Sequence, residues 1–426
     1  MSRIPLGRAH VLASSIIHEL RHSGVETDLL TPVGSLRRFA PEVGGTALFA
    51  AAGAASRERL LHAFATLPSA QHVPALGDAG ATIETGYGPV TLHVAQPIAA
   101  GAALVWLTGS VGHVHALAGL AAERRLRFAA GRLTDASDRQ VRCETEQDFY
   151  ALLDLPFIPP ELRHGDDEVA AAREGRLPDL VADVHIRGDL HMHSTWSDGR
   201  DPIETMVWRS AELGYEYIAI TDHSQRAWSS RSLAVEDLAP QRAEIARLQQ
   251  RHANIRILHG VEVDIMKDGS LDFANEVLAG FDIVLASLHD HGGQPGPELT
   301  GRYLAAMHSP YVDAITHPLN RTPGVWEGYT LDLDRLFAAA AETGTAMEVD
   351  GAPGHLDMDG AVARRAVAAG VTILVNSDCH RAEFLRRQMR FGVGTARRGW
   401  VEPRHVLNTR SVEEVLAFVA RKRARG

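Results

Sequence analysis

Residues 186–199 read IRGDLHMHSTWSDG. A short apolar run ends in a His-x-His pair, and a polar loop carrying Asp198 follows. Side chains alternate across a strand, so His191 and His193 share one face and can meet one ion. The same texture recurs downstream in YIAITDH (217–223), IRILHGVEV (255–263), IVLASLH (283–289), DAITHP (313–318), AMEVDG (346–351) and TILVNSD (372–378). Helical segments such as PIETMVWRSAELG and VARRAVAAG separate these runs. Seven apolar runs alternating with helices predict a parallel α/β sheet, closed or nearly closed into a barrel.

Metal-type residues gather at the C-terminal ends of the runs. His191, His193 and the nearby Asp198 follow the first, His223 ends the second, Glu262 lies in the third and His289 ends the fourth. His317 ends the fifth, and Asp378 and His380 end the seventh. In a parallel barrel those ends form the face that builds active sites. A lone strand-end histidine is usually an ordinary polar residue, but recurrence at six of the seven runs argues for one shared site. Nine ligands exceed the four of a tetrahedral ion and predict two or three divalent ions bridged by carboxylates such as Glu262. Imidazole and carboxylate without thiolate suit Zn²⁺, Mn²⁺ or Fe²⁺. Cys379, between Asp378 and His380, is predicted to point away from this face. Such clusters activate water and offset charge during hydrolysis, with phosphate esters as natural substrates.

The remaining features set bounds. With 426 residues, 45% of them hydrophobic, the chain is globular and long enough for two or three domains. Two cysteines, Cys143 and Cys379, rule out a disulfide framework and point to a reducing compartment. No secretory pattern opens the chain and no run approaches the ~18 apolar residues of a membrane span, so a soluble, cytoplasmic protein with no membrane partner is expected. A net charge of −10 argues against tight nonspecific binding of nucleic acid over the whole surface.

Ahead of the barrel, apolar spacing after Pro5 predicts a helix over 5–22, followed by strand-like pieces TDLLTPVGSL, TALFAAAG and GPVTLHVAQP and a helix over 56–67. GAALVWLTGS, VHALAGLAAERRLRFAAGR and EQDFYALLDL read as helices, the second carrying Arg124, Arg125, Arg127 and Arg132 on a solvated basic face. The Pro- and Gly-rich 155–188 reads as a segment draped between domains. These readings divide the chain into 1–98, 99–183 and 184–426.

GDLHMHSTWSDG, AITDHS, GVEVDI, SLHDH, THPLNR, MEVDG and NSDCH together resemble the PHP (polymerase and histidinol phosphatase) domain, in the form found in bacterial family X DNA polymerases. The resemblance implies a distorted (β/α)7 barrel whose nine ligands are His191, His193, Asp198, His223, Glu262, His289, His317, Asp378 and His380. It also implies a trinuclear site and a phosphoesterase trimming or dephosphorylating DNA 3′ ends. Relatives that hydrolyse histidinol phosphate give a small-molecule phosphatase as the alternative, and a noncatalytic DNA-end or nucleotide-binding protein is a third. Arg302 and Arg321 look like family positions suited to holding substrate phosphate.

The front half resembles the same family's polymerase palm and thumb, carried by RIPLGRA, GSLRR, GPVTLHV, WLTGSVGHVHAL and FYALLDLPFIPPELR. Gly34, Ser35 and Arg37 of GSLRR are the expected remnants of its nucleotide site. Nucleotidyl transfer needs two ions held by three carboxylates, two of them alternating on one strand face. Here Gly45, Ala47 and Thr91 stand where the family has aspartates, so the resemblance implies a palm without polymerase activity.

Overall fold

A computed structural model describes residues 3–425 apart from 26, 28, 228–230 and 290–292. The chain divides into two compact units, residues 1–177 and 178–426.

The first unit opens on the helix Leu6–His22, which buries Leu6, Ala9, Leu12, Ala13, Ile16 and Leu20 along one stripe. Its five-stranded sheet runs in the spatial order Leu29–Pro32, Thr46–Ala51, Gly88–Ala95, Gly80–Thr85 and His72–Gly77. Strands Thr46–Ala51 and Gly88–Ala95 are parallel, with Ala47 opposite Thr91. Sequence reading missed the hairpin formed by His72–Gly77 and Gly80–Thr85. It also extended the strand of TDLLTPVGSL too far, since Gly34–Arg37 is a short helix.

Two further expectations need correction. The basic helix expected through Arg132 ends at Glu123, and Arg127–Ala129 pairs with Arg132–Thr134 as a hairpin. Positive φ angles of 59° at Arg125, 47° at Ala130 and 74° at Gly131 break the helix and turn the chain, so Arg127 and Arg132 lie on strands. Residues 155–177, expected to be draped loosely, pack into this unit. Arg163 is fully buried and donates to Glu146 at 2.5 Å, while Tyr150 and Phe157 lie against its guanidinium. Proline and charge there mark an irregular backbone held by a buried ion pair.

The second unit is a seven-stranded parallel sheet in sequential order: β1 Gly188–Asp189, β2 Tyr217–Ile220, β3 Arg256–Asp264, β4 Ile283–Ser287, β5 Ala314–Ile315, β6 Ala346–Asp350 and β7 Ile373–Asn376. A parallel bridge between Met192 and Cys379 joins the chain beyond β1 to the chain beyond β7, which nearly closes the barrel. The fully buried Asn408, outside the sheet, stitches the same seam. Its amide donates to the carbonyls of Gly188 at 2.9 Å and Val375 at 2.6 Å, and its Oδ1 accepts from the Val375 N–H at 3.1 Å.

Alternation sorts the strand residues into layers. Leu190, Tyr217, Ala219, Leu258, Ile283, Leu285, Ala314, Ala346 and Leu374 pack together with Val415, Phe418 and Val419 of the C-terminal helix Val412–Arg423. Continued two residues at a time toward the strand C-termini, the same face turns polar: Leu258 leads to Glu262, Ala346 to Glu348 and Asp350, and Leu374 to Asn376 and Asp378. Gly260 sits between the layers because a Cβ there would lie 2.7 Å from Thr221 Cγ2. The opposite strand faces meet the surrounding helices in the larger apolar cluster, which includes Cys379.

Candidate metal centre

The nine expected ligands converge where the barrel face turns polar. Among the described residues, four metal-type groupings contain all of them: His193, Asp198, His223 and His380; His191, His193 and Asp378; His191, Glu262 and His317; and His223, Glu262 and His289. Glu262, 1% exposed, is the hub. Its Oε2 lies 2.8 Å from His223 Nδ1 and 3.5 Å from the Nε2 atoms of both His191 and His193. Its Oε1 lies 2.9 Å from His317 Nε2 and 3.3 Å from His289 Nε2. Asp378 Oδ1 is 3.2 Å from His193 Nε2 and 3.5 Å from His191 Nε2. Asp198 Oδ1 is 3.3 Å from His380 Nε2 and 3.5 Å from His223 Nε2. Gly199 lets the Asp198 loop fold tightly, since a Cβ there would be 2.6 Å from the His193 carbonyl.

This packing fits divalent cations. His223 Nδ1 and Glu262 Oε2 approach each other closely, yet both are buried without a hydrogen-bond partner. His191 Nε2 and His193 Nε2 stand 3.1 Å apart. Two nitrogens on one tetrahedral zinc are about 3.3 Å apart. The backbone is strained at two of these residues, with φ of 24° at His317 and 48° at Asp378.

The electrostatics agree with mutual dependence of acids and imidazoles. Burial alone would raise Glu262, but His223, His289 and His191 outweigh it and hold its carboxyl well below the usual range. Burial likewise opposes ionisation of Asp378, which His191 and His380 drive well below normal. Burial, together with the neighbouring His380 and His223, pushes His193 down to about 3, which leaves its lone pair free. Burial disfavours charge on His380, yet Asp378 and Asp198 raise it to about 9.

Several supporting groups were not singled out in the sequence. Glu348 Oε1 accepts from His191 Nδ1 and Asn376 Nδ2, both at 2.8 Å, and its Oε2 accepts from the His317 N–H at 3.0 Å. Asp264 Oδ1 accepts from His289 Nδ1 at 2.5 Å. Each carboxylate fixes the ring tautomer that aims Nε2 inward. Asp222 clamps the Asp198 loop, accepting from Ser194 Oγ at 2.7 Å and Ser197 Oγ at 2.5 Å. Behind it, Gln241 donates to Asp222 at 2.7 Å and accepts from His259 Nε2 at 3.0 Å. Alternation carries the missed signal: β6 holds no member of the nine, yet Glu348 and Asp350 stand two apart on its inward face.

The other expected site residues are placed as follows. Arg302 is 4% exposed and donates to Gln294 Oε1 and the Ile265 carbonyl, so it is seated in the wall of the unit. Arg321, 7% exposed, donates to Asp359 at 3.0 Å. In the first unit Gly34 has φ of 70° and begins the short helix that contains Ser35 and Arg37. Arg37 grips Glu146 through two hydrogen bonds of 2.8 and 2.7 Å. The register brings Ala47 beside Thr91, whose hydroxyl lies 3.0 Å from that of Thr82, and Gly45 precedes Ala47 by two residues. Cys379 is buried and donates to the Arg381 carbonyl at 2.8 Å, away from the cluster. Asp290 and His291 of the SLHDH motif lie outside the described residues.

Comparison with known proteins agrees with this geometry. The PHP domain family matches residues 189–348, and the DNA polymerase beta thumb family matches residues 103–164. The chain is 36% identical over 437 aligned residues to the DNA polymerase/3′-5′ exonuclease PolX of Bacillus subtilis, covering 98% of this chain and 73% of that protein. It is 30% identical over 188 residues to a probable phosphatase of Thermoanaerobacter, covering 39% of this chain and 74% of that protein. A solved structure of Leishmania infantum polymerase beta aligns with 38% of this chain and 77% of its own at 14% identity, with a TM-score of 0.34, too loose a likeness to carry an argument.

Proposed function

Because the chain belongs to the PolX family, with a PHP domain and a polymerase beta thumb domain, we propose that it hydrolyses phosphate esters at DNA 3′ ends and has lost nucleotidyl transfer. It is a metal-dependent phosphoesterase. The single observation that carries the finer reading is the contrast between the two sites. Nine nitrogen and oxygen ligands converge on Glu262 in one unit, while Gly45, Ala47 and Thr91 leave the palm positions of the other without a carboxylate.

In this reading His191, His193, Asp198, His223, Glu262, His289, His317, Asp378 and His380 hold two or three divalent ions. Bound ions of this kind supply activated water and positive charge for the phosphate oxygens. Glu348 and Asp264 hold protons on the Nδ1 atoms of His191 and His289, which keeps the Nε2 lone pairs turned inward. Asp222 keeps Asp198 in reach of His223 and His380 by pinning its loop. Among the nine-residue cluster's histidines His380 is the most open, 34% exposed, which suits a place on the substrate side. Arg37 is committed to Glu146, which argues against its serving a nucleotide phosphate.

A second reading, a small-molecule phosphatase, is supported by relatives named probable phosphatases that align with under half of this chain. The test is one purified protein given 3′-labelled single-stranded DNA, a 3′-phosphorylated oligonucleotide, histidinol phosphate, and a primer–template with nucleotides. The expected result is 3′-end hydrolysis without primer extension. His193→Ala and Asp378→Ala should remove hydrolysis with the fold intact. Turnover of histidinol phosphate alone would favour the second reading, and nucleotide incorporation would refute loss of the polymerase.

A further inference from the structure

Strand β6 ends in Glu348, Val349 and Asp350, and the chain then doubles back through residues 351–358. The Asp350 N–H donates to the Asp357 carbonyl at 2.5 Å, and the Met358 N–H donates to the Glu348 carbonyl at 3.1 Å. This return places His355 with its ring stacked on His317, centroids 5.1 Å apart at an interplanar angle of 21°. One ligand atom each from Asp350, His355 and Asp378 then lies within 4.8 Å of the others. Donor atoms this close together can share one ion.

Two atoms of this group are unsatisfied. Asp350 is 0% exposed; its Oδ1 accepts from the Ala352 N–H at 2.6 Å, but its Oδ2 is buried without a partner. The His355 Nδ1 is also buried without a partner. An orphaned carboxylate oxygen beside an orphaned imidazole nitrogen is costly unless something fills the gap. Asp378 and Glu348 add negative charge to the same corner, which favours a positive group in the gap.

We infer that Asp350, His355 and Asp378 form an additional divalent-cation position at the edge of the nine-residue cluster, with Asp378 bridging the two. Two carboxylates and one imidazole make a harder donor set than the histidine-rich positions, so the ion is of the Mn²⁺ or Mg²⁺ class. His355 is only partly buried, which leaves a path to solvent, so this ion exchanges more readily than those around Glu262. The inference rests on the reading of Asp378 as a ligand.

The test is equilibrium dialysis of the full chain against Mn²⁺, with bound metal counted by mass spectrometry and followed by electron paramagnetic resonance. Asp350→Asn, His355→Gln and His193→Ala are compared with the wild type, each after a check of its folded spectrum. Asp350→Asn and His355→Gln should each weaken the loosest Mn²⁺ at least tenfold, removing one equivalent per chain and leaving the others. Equal stoichiometry and affinity in the wild type and both variants would overturn the inference. His193→Ala reports on the nine-residue cluster separately: undiminished metal in that variant counts against the cluster, while loss of one equivalent in Asp350→Asn still supports the edge position.

Discussion

At the scale of single residues, the chemistry depends on carboxylates that touch imidazoles from behind. Glu348→Gln puts an amide where His191 and Asn376 need an acceptor and the backbone of His317 needs another. The expected outcome is a 10–100-fold loss of metal affinity or kcat/KM with little change in the far-ultraviolet spectrum. His259 gives a pH prediction outside the ligand set. Burial, then the charge of Arg242, lowers it from 6.5 to about 4, and it stays neutral, donating to Gln241. Above pH 6.5 folded and unfolded chains are both neutral there, so the contribution to stability is complete. Between pH 6.5 and 4 only the unfolded chain takes up the proton, so stability falls as pH falls. The window is worth about 2–3 kcal/mol. Denaturant midpoints of wild type and His259→Gln across that range should converge as acidity rises.

At the scale of elements, the seam between β1 and β7 is the weak line of the barrel, because short strands leave few ladder bonds and Asn408 completes them. Asn408→Ala strands the Gly188 carbonyl and both backbone polar groups of Val375. A loss of about 3 kcal/mol or more, read from urea denaturation, is expected. Asn408 illustrates what the sequence conceals. The seven barrel strands and their polar ends were legible from alternation and apolar runs, since period 2 leaves a direct trace. Asn408 carries no such trace, because its partners lie 220 and 33 residues away. Asp350 and His355 were equally hidden: a strand-end aspartate is unremarkable until the chain folds back and stacks His355 on His317. In the first unit, the basic run 124–132 looked helical because its period persists, and the turn backbone at Arg125 and Ala130 overrode it.

At the scale of the whole molecule, acids and histidines at the barrel mouth make folding and metal loading interdependent, since ions that bind only the folded chain stabilise it by mass action. Exhaustive chelation should therefore lower the thermal midpoint by several degrees and abolish hydrolysis, with Mn²⁺ restoring both; an unchanged midpoint beside lost activity would show ions that contribute nothing to stability. The seam has a further consequence for how the protein is made. His191 and Asp378 stand 187 positions apart in the sequence, yet both must be present before their ligand set exists. On the ribosome His191 emerges long before Asp378 and Asn408. Until Asp378 follows, the nascent barrel is open and its ligand set incomplete, so metal capture waits on closure of the seam.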